Sequence, residues 1–172
     1  MDLNVVILAA GKGTRMKSRL PKVLQPLAKK PMLAHVLETS FRLDAHKVIV
    51  VYGHGGDAVQ AEIERYFPDA PIEWVEQSEQ LGTGHAVKQA LNHLQTNTRT
   101  LILYGDVPLI SEAPLNRLLN EVQPGECGVI TVKLPDPTGY GRIVRDHAGV
   151  VREIVEEKDA GKEIRKIDEV NT

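Results

Sequence analysis

The sequence predicts an α/β fold in three layers, with a mainly parallel sheet between two layers of helix. Three observations carry this expectation. Short apolar runs rich in β-branched residues alternate with segments whose apolar residues recur at helical spacing. Strand–helix alternation needs right-handed crossovers, which set parallel strands side by side. Polar clusters follow the strands: AAGKGTR, GHGGD, EQSEQLGTG and GDVPL. In such sheets ligands bind at the carboxyl ends of the strands, so these loops converge on one rim.

The elements follow in order. LNVVIL (3–8) reads as a buried strand. Pro31 opens a helix, because a first turn does not need the missing N–H. Leu33, Val36, Leu37 and Phe41 form its apolar face. KVIVVY (47–52) is the next strand. Asp57 is placed to cap a helix bearing Val59, Ile63, Tyr66 and Phe67. IEWVE (72–76) is an alternating strand, and Val87, Ala90, Leu91 and Leu94 mark a third helix. RTLILY (99–104) is a strand, and Ser111 precedes a fourth helix with Leu115, Leu118, Leu119 and Val122. CGVITVKL (127–134) is a further strand. GRIV (141–144) and VVREIVE (150–156) flank a DHAG turn and read as a hairpin. DEVNT closes the sequence without a helix or strand pattern.

A length of 172 residues suits one domain with a real core. Lys plus Arg is 21 and Asp plus Glu is 23, a balance that argues against a general nucleic-acid binder. The longest apolar runs fall far short of the roughly 20 residues that cross a bilayer, and no secretory leader is evident. The single Cys127 cannot form an internal disulfide, which fits a cytoplasmic location. As it opens an apolar strand, Cys127 is expected to be a packed core thiol, and Trp74 is expected in the core.

Charge is not spread evenly. Residues 1–30 hold seven bases, Lys12, Arg15, Lys17, Arg19, Lys22, Lys29 and Lys30, against one acid, Asp2. A basic segment in a near-neutral chain suggests a small anionic ligand; a solvated loop is the plainer alternative. Gly11 and Gly13 let backbone approach a ligand and turn N–H groups toward phosphate oxygens. Lys12, Arg15 and Lys22 add cationic donors. The dinucleotide pattern G-x-G-x-x-G fails because residue 16 is Met. The pattern G-x-x-x-x-G-K-[ST] fails because Lys12 lies between the two glycines. A nucleotide loop of another kind remains. Asp106 ends its strand at the rim, where a carboxylate suits Mg²⁺ or merely begins a turn. Gln77 carries a donor and an acceptor that match uracil, although a flipped amide would match cytosine. Gly82 and Thr83 stand where a helix begins and could present N–H groups to a ligand. His85 and His93 are eight apart, too far for a metal pair on one helix turn, and His54 has no nucleophile beside it. Incidental roles are expected for the histidines.

LAAGKGTRM followed by LPKVL resembles the signature of the sugar-1-phosphate nucleotidyltransferases. EQLGTGHAV (79–87), LYGDVPL (103–109) and DPTGYGRIV (136–144) narrow the resemblance to the bacterial N-acetylglucosamine-1-phosphate uridyltransferases, the N-terminal half of a bifunctional enzyme. It covers the whole chain in order and spacing. It implies a Rossmann-like fold and transfer of UMP from UTP to N-acetylglucosamine 1-phosphate, giving UDP-N-acetylglucosamine and pyrophosphate for cell-envelope precursors. It implies Mg²⁺ held by Asp106, and Arg15 and Lys22 as catalytic cations. It assigns the nucleotide to Leu8, Ala9, Ala10, Gly11, Lys22, Gln77, Gly82, Thr83, Tyr104, Gly105 and Asp106, with Gln77 and Gly82 at the uracil. It assigns the amino sugar to Gly141, Glu156 and Asn171; without it, Glu156 could not be chosen over Glu157. It further implies that residues 1–172 are an incomplete N-terminal nucleotidyltransferase domain. A second metal ligand, an acetyltransferase β-helix acting on glucosamine 1-phosphate and the contacts of a homotrimer would then lie beyond them. On that view residues 1–172 alone would be poorly active. A related transferase with another sugar or base, and a non-catalytic nucleotide-binding module, are the competing readings.

Overall fold

A computed structural model of the chain describes residues 2–11, 18, 20–53 and 55–171. Two compact units divide it, Met1–Glu112 and Ala113–Thr172.

The first unit begins with β1 (Leu3–Ala9), every residue of which is buried. A 3₁₀ turn at Lys22–Leu24 seats Val23 and Leu24 in the interior. A two-residue hairpin follows, β2 (Pro26–Leu27) and β3 (Lys30–Pro31), which no periodicity in the sequence marks. Then come α1 (Met32–Arg42), β4 (Lys47–Tyr52), α2 (Gly56–Tyr66), β5 (Ile72–Glu76), α3 (Thr83–Ala90) and β6 (Arg99–Tyr104). The sheet order is β5-β4-β1-β6, and every pairing is parallel. A parallel strand between helix layers is apolar on both faces, which is why β1 after Asn4 and β4 after Lys47 are apolar runs. Val6, Leu8, Ile49, Val51 and Val75 pack beneath Ala86 and Ala90 of α3. The alternate residues Val5 and Ile7 bury on the other face, where α1 packs on β1 and on α2. Phe41 and Phe67 meet edge to face with centroids 5.4 Å apart.

The second unit is of another kind. α4 (Glu112–Glu121) leads into β7 (Thr131–Lys133), β8 (Arg142–Arg145), β9 (Val151–Val155) and β10 (Glu169–Asn171). They form an antiparallel sheet in the order β7-β10-β8-β9. The β8–β9 hairpin is the one the DHAG turn predicts. The DEVNT segment, expected to be irregular, supplies β10, which lies between β7 and β8. A three-residue strand is too short to show alternation; its neighbours define it.

Other expectations need correction. Asp57 does not cap α2 but lies in its first turn, and the cap is Gly55 in the left-handed region. Leu91 lies past the end of α3, in a 3₁₀ turn, and is exposed. The strand expected over 127–134 shrinks to Thr131–Lys133, and Cys127 is exposed rather than packed. Gly128 lies close against Val122 and Leu118: a Cβ there would come within 2.4 Å of the first and 2.7 Å of the second. Trp74 is half-buried, edge-on to Tyr52.

Candidate nucleotide site

A cleft of about 320 Å³ opens at the carboxyl ends of β1, β5 and β6, a size usual for small-ligand sites. Each wall comes from one of the loops that the alternation places at that rim. Leu8, Ala10 and Gly11 come from the end of β1, and Lys22 and Val23 from the 3₁₀ turn. Gln77, Gln80, Gly82, Thr83 and Ala86 come from the β5–α3 connection, and Tyr104 and Asp106 from the end of β6. Nine of the residues assigned to the nucleotide therefore line one cleft. Ala9 is buried beside it, and Gly105 is fixed below it by its N–H to Leu8 O at 2.9 Å. Lys12, Gly13, Thr14 and Arg15 of the basic loop lie outside the described residues, as does His54. The described residues of the GHGGD loop do not line the cleft.

Lys22 and Asp106, 84 positions apart, form an ion pair across the cleft. Burial of Val23 and Leu24 fixes the turn that carries Lys22, and the end of β6 fixes Asp106. Both side chains remain about one-third exposed, at 38% and 30%, so a ligand can reach either.

The β5–α3 connection is bound to the rest of the cleft by amides. Gln77 is 3% exposed. Its backbone N–H donates to Tyr52 O at 2.8 Å, and its side-chain Nε2 donates to Gly82 O at 3.1 Å and to His85 Nδ1 at 3.0 Å. Gly82 caps α3 with φ of 102°, where a side chain would be strained. Gln80, which the sequence does not single out from its neighbours in EQSEQ, donates to Ala10 O at 2.6 Å and so joins β5 to the end of β1. Gly53 makes room for this bond: a Cβ there would lie 2.6 Å from Gln80 Nε2 and 2.8 Å from Ala10 O.

A charge network lies away from the cleft, at the amino ends of the strands. Glu73 joins Lys47 at 2.6 Å and also pairs with His93. Hydrogen bonds from Lys47, then from His93, hold the Glu73 carboxyl below its ordinary range. This network is structural.

The three residues assigned to the amino sugar all fall in the second unit. Gly141 and Asn171 are neighbours: Asn171 N–H donates to Gly141 O at 3.3 Å, and a Cβ on Gly141 would meet Asn171 Oδ1 at 2.6 Å. Glu156 is exposed, just past the end of β9. Glu157 is committed elsewhere, to the buried Arg142 at 2.7 Å. The two adjacent glutamates, indistinguishable in sequence, thus differ in what they are free to do.

No group of three metal-ligating side chains occurs among the described residues, and no helix among them is long and apolar enough to cross a membrane.

Comparison with known proteins bears on the family and the fold. Residues 5–169 match the model of the MobA-like NTP transferase domain. The chain is 54% identical over 170 residues to a protein of Burkholderia lata named Bifunctional protein GlmU. It is 57% identical over 169 residues to one of the same name from Halorhodospira halophila. These alignments take in 98–99% of this chain but only 34–37% of the relatives, so it spans about a third of their length. Among solved structures, HddC from Yersinia pseudotuberculosis superposes with a TM-score of 0.73 at 23% identity, over 90% of this chain and 69% of that one. A UDP-glucose pyrophosphorylase bound to UDP-glucose superposes with a TM-score of 0.76 at 16% identity, over 99% of this chain and 74% of that one. Likeness at that identity shows the fold. On the family model, which covers nearly the whole length, the chain belongs to the MobA-like NTP transferase domain family.

Proposed function

We propose that this chain carries the uridylyl-transfer site of an N-acetylglucosamine-1-phosphate uridyltransferase. A phosphate oxygen of the sugar phosphate attacks the α-phosphorus of UTP. The bond to the β-phosphate breaks, and UDP-N-acetylglucosamine and pyrophosphate form. The observation that carries this reading is the cleft itself, where a cation and a carboxylate face each other beside backbone from a glycine loop. The sequence identity to the GlmU proteins supports the choice of uridine and of the amino sugar.

The chemistry needs no covalent enzyme intermediate. It needs two anions held together and the charge between them neutralised. Lys22 suits the α-phosphate, and the N–H groups at Ala10 and Gly11 suit neighbouring phosphate oxygens. Arg15 is assigned the pyrophosphate side by the resemblance alone. Gln77 and Gly82 are assigned to the uracil edge. Gly141, Glu156 and Asn171 are assigned to the sugar, where a backbone N–H, a carboxylate and an amide suit hydroxyl and acetamido groups.

Asp106 is the residue that would hold Mg²⁺. One carboxylate, about one-third exposed at a phosphate-sized cleft, fits this ion, which takes few protein ligands and completes its shell with phosphate oxygens and water. When bound, Mg²⁺ would offset charge on the reacting phosphates. The same resemblance supports glucosamine-1-phosphate acetylation, a homotrimer and a cytoplasmic location for the whole protein.

The test mixes the full-length protein with UTP, Mg²⁺ and a panel of sugar 1-phosphates and measures pyrophosphate. Release only with N-acetylglucosamine 1-phosphate is expected, and it should disappear in Asp106→Asn. Release with glucose 1-phosphate instead would reassign the sugar, and no release with any sugar would leave a binding module.

A further inference from the structure

We infer that His85 is a positioning residue that sets the choice of base, by holding the Gln77 amide with its oxygen toward the cleft. This rests on the uridine reading above and adds what selects uracil over cytosine. The sequence leaves that point open, because a free glutamine can present either end.

The two hydrogens of Gln77 Nε2 are both engaged. One goes to Gly82 O and the other to His85 Nδ1. What Gln77 keeps for the cleft it lines is its acceptor oxygen. Uracil offers N3–H to an acceptor, whereas cytosine offers the bare lone pair of N3. Turning the amide to suit cytosine would set Oε1 against the Gly82 carbonyl. That carbonyl already accepts Ala86 N–H at 3.1 Å and cannot donate. The turn would also break the bond to His85.

The hold requires that His85 Nδ1 accept. A second amide bears on this: Gln89 Nε2 lies 3.1 Å from His85 Nε2 and 3.3 Å from His85 O. A neutral imidazole accepts at one nitrogen only. Gln77 is buried and tied to Gly82, whereas Gln89 is half-buried on the helix: presenting its oxygen to the ring gives up only the longer 3.3 Å contact with His85 O, and its side chain has room to swing clear of that carbonyl. The ring proton therefore sits on Nε2, and Gln89 is the residue that turns. The imidazole passes the orientation of α3 to the base edge without touching the base. In sequence, His85 is one more incidental histidine.

The test is calorimetric binding of UTP, CTP and N3-methyl-UTP to the full-length protein, as wild type, His85→Phe and His85→Asn. Asparagine keeps an acceptor where Nδ1 stands; phenylalanine keeps only the ring. In wild type, UTP should bind at least about tenfold tighter than CTP or N3-methyl-UTP, the cost of leaving a buried polar group unpaired. In His85→Phe the UTP-to-CTP preference should fall to about threefold or less, and His85→Asn should restore most of it. Nitrogen-15 spectra of the wild-type imidazole should show Nδ1 unprotonated, a readout that stands even where His85→Phe does not fold. An unchanged preference in His85→Phe, a protonated Nδ1, or equal binding of UTP and CTP by wild type would overturn the inference. Selective UTP binding without pyrophosphate release from any sugar phosphate would overturn the reaction and leave the role of His85 standing.

Discussion

The two units differ in what they set at the centre of the sheet, although Leu115, Ile143 and Val170 are buried in the second as well. In the first, β1 and β4 are buried on both faces, and α1 sets Leu33, Ala34, Val36 and Leu37 at 0% exposure. In the second, the residue at the centre of the small sheet is an arginine. Arg142 is 1% exposed, pairs with Glu157 at 2.7 Å and donates to Tyr140 O. Around it Arg145 bonds Glu169 at 2.6 Å and 2.9 Å, Thr131 donates to Glu169 at 2.7 Å, and Arg152 pairs with Asp146. Val129, Val132, Tyr140 and Ile154 are left largely exposed. Apolar burial is non-directional and tolerant, whereas an ion-pair lattice depends on each partner being present.

That contrast can be broken by substitution. The largest expected effect is in the first unit: Leu37→Ala should cost about 3–4 kcal/mol, the usual range for a fully buried leucine, read as a lower urea midpoint. Next is Arg142→Met, which strands a partly exposed Glu157 and should cost about 2 kcal/mol. Hydrogen exchange should rise in β8, β9 and β10. The double variant Arg142→Met, Glu157→Leu should return most of the loss; if it does not, the arginine sets shape and not only charge. Smaller again is Glu169→Gln. Hydrogen bonds from Arg145, then from Thr131, hold the Glu169 carboxyl down to about 2. A depressed carboxyl stabilises the fold above its unfolded value, near 4.5, and the gain is lost as pH falls toward about 2. Wild type should therefore lose stability across that acid window more steeply than Glu169→Gln, as followed by thermal melts against pH. Smallest is Val132→Thr on the exposed face of β7, expected to lie within about 0.5 kcal/mol of wild type.

The same contrast explains what the sequence made legible. KVIVVY, IEWVE and RTLILY are strands to the residue, the first because an apolar run reports burial on both faces, the second because apolar and polar residues alternate along it, and the third because a short apolar run marks a strand even where only the alternate Leu101 and Leu103 are buried. The rim of the cleft was legible for a related reason: alternation of elements fixes which loops share an end of the sheet, and Lys22, Gln77 and Asp106 are on such loops. β10 and the short β7 were not, because they are ordered by partners distant in sequence. Glu157 could not be told from Glu156 until Arg142 was placed. Gln80 and His85 escaped because their role is exerted through another amide or carbonyl, and no spacing encodes that.

Gly53 shows how far this reaches. It has no place in the cleft lining, yet a single methyl on it would collide with the amide that fastens Gln80 to Ala10. The floor on which a nucleotide would rest can thus be unlatched from behind, by one hydrogen exchanged for carbon, with no cleft-lining residue replaced.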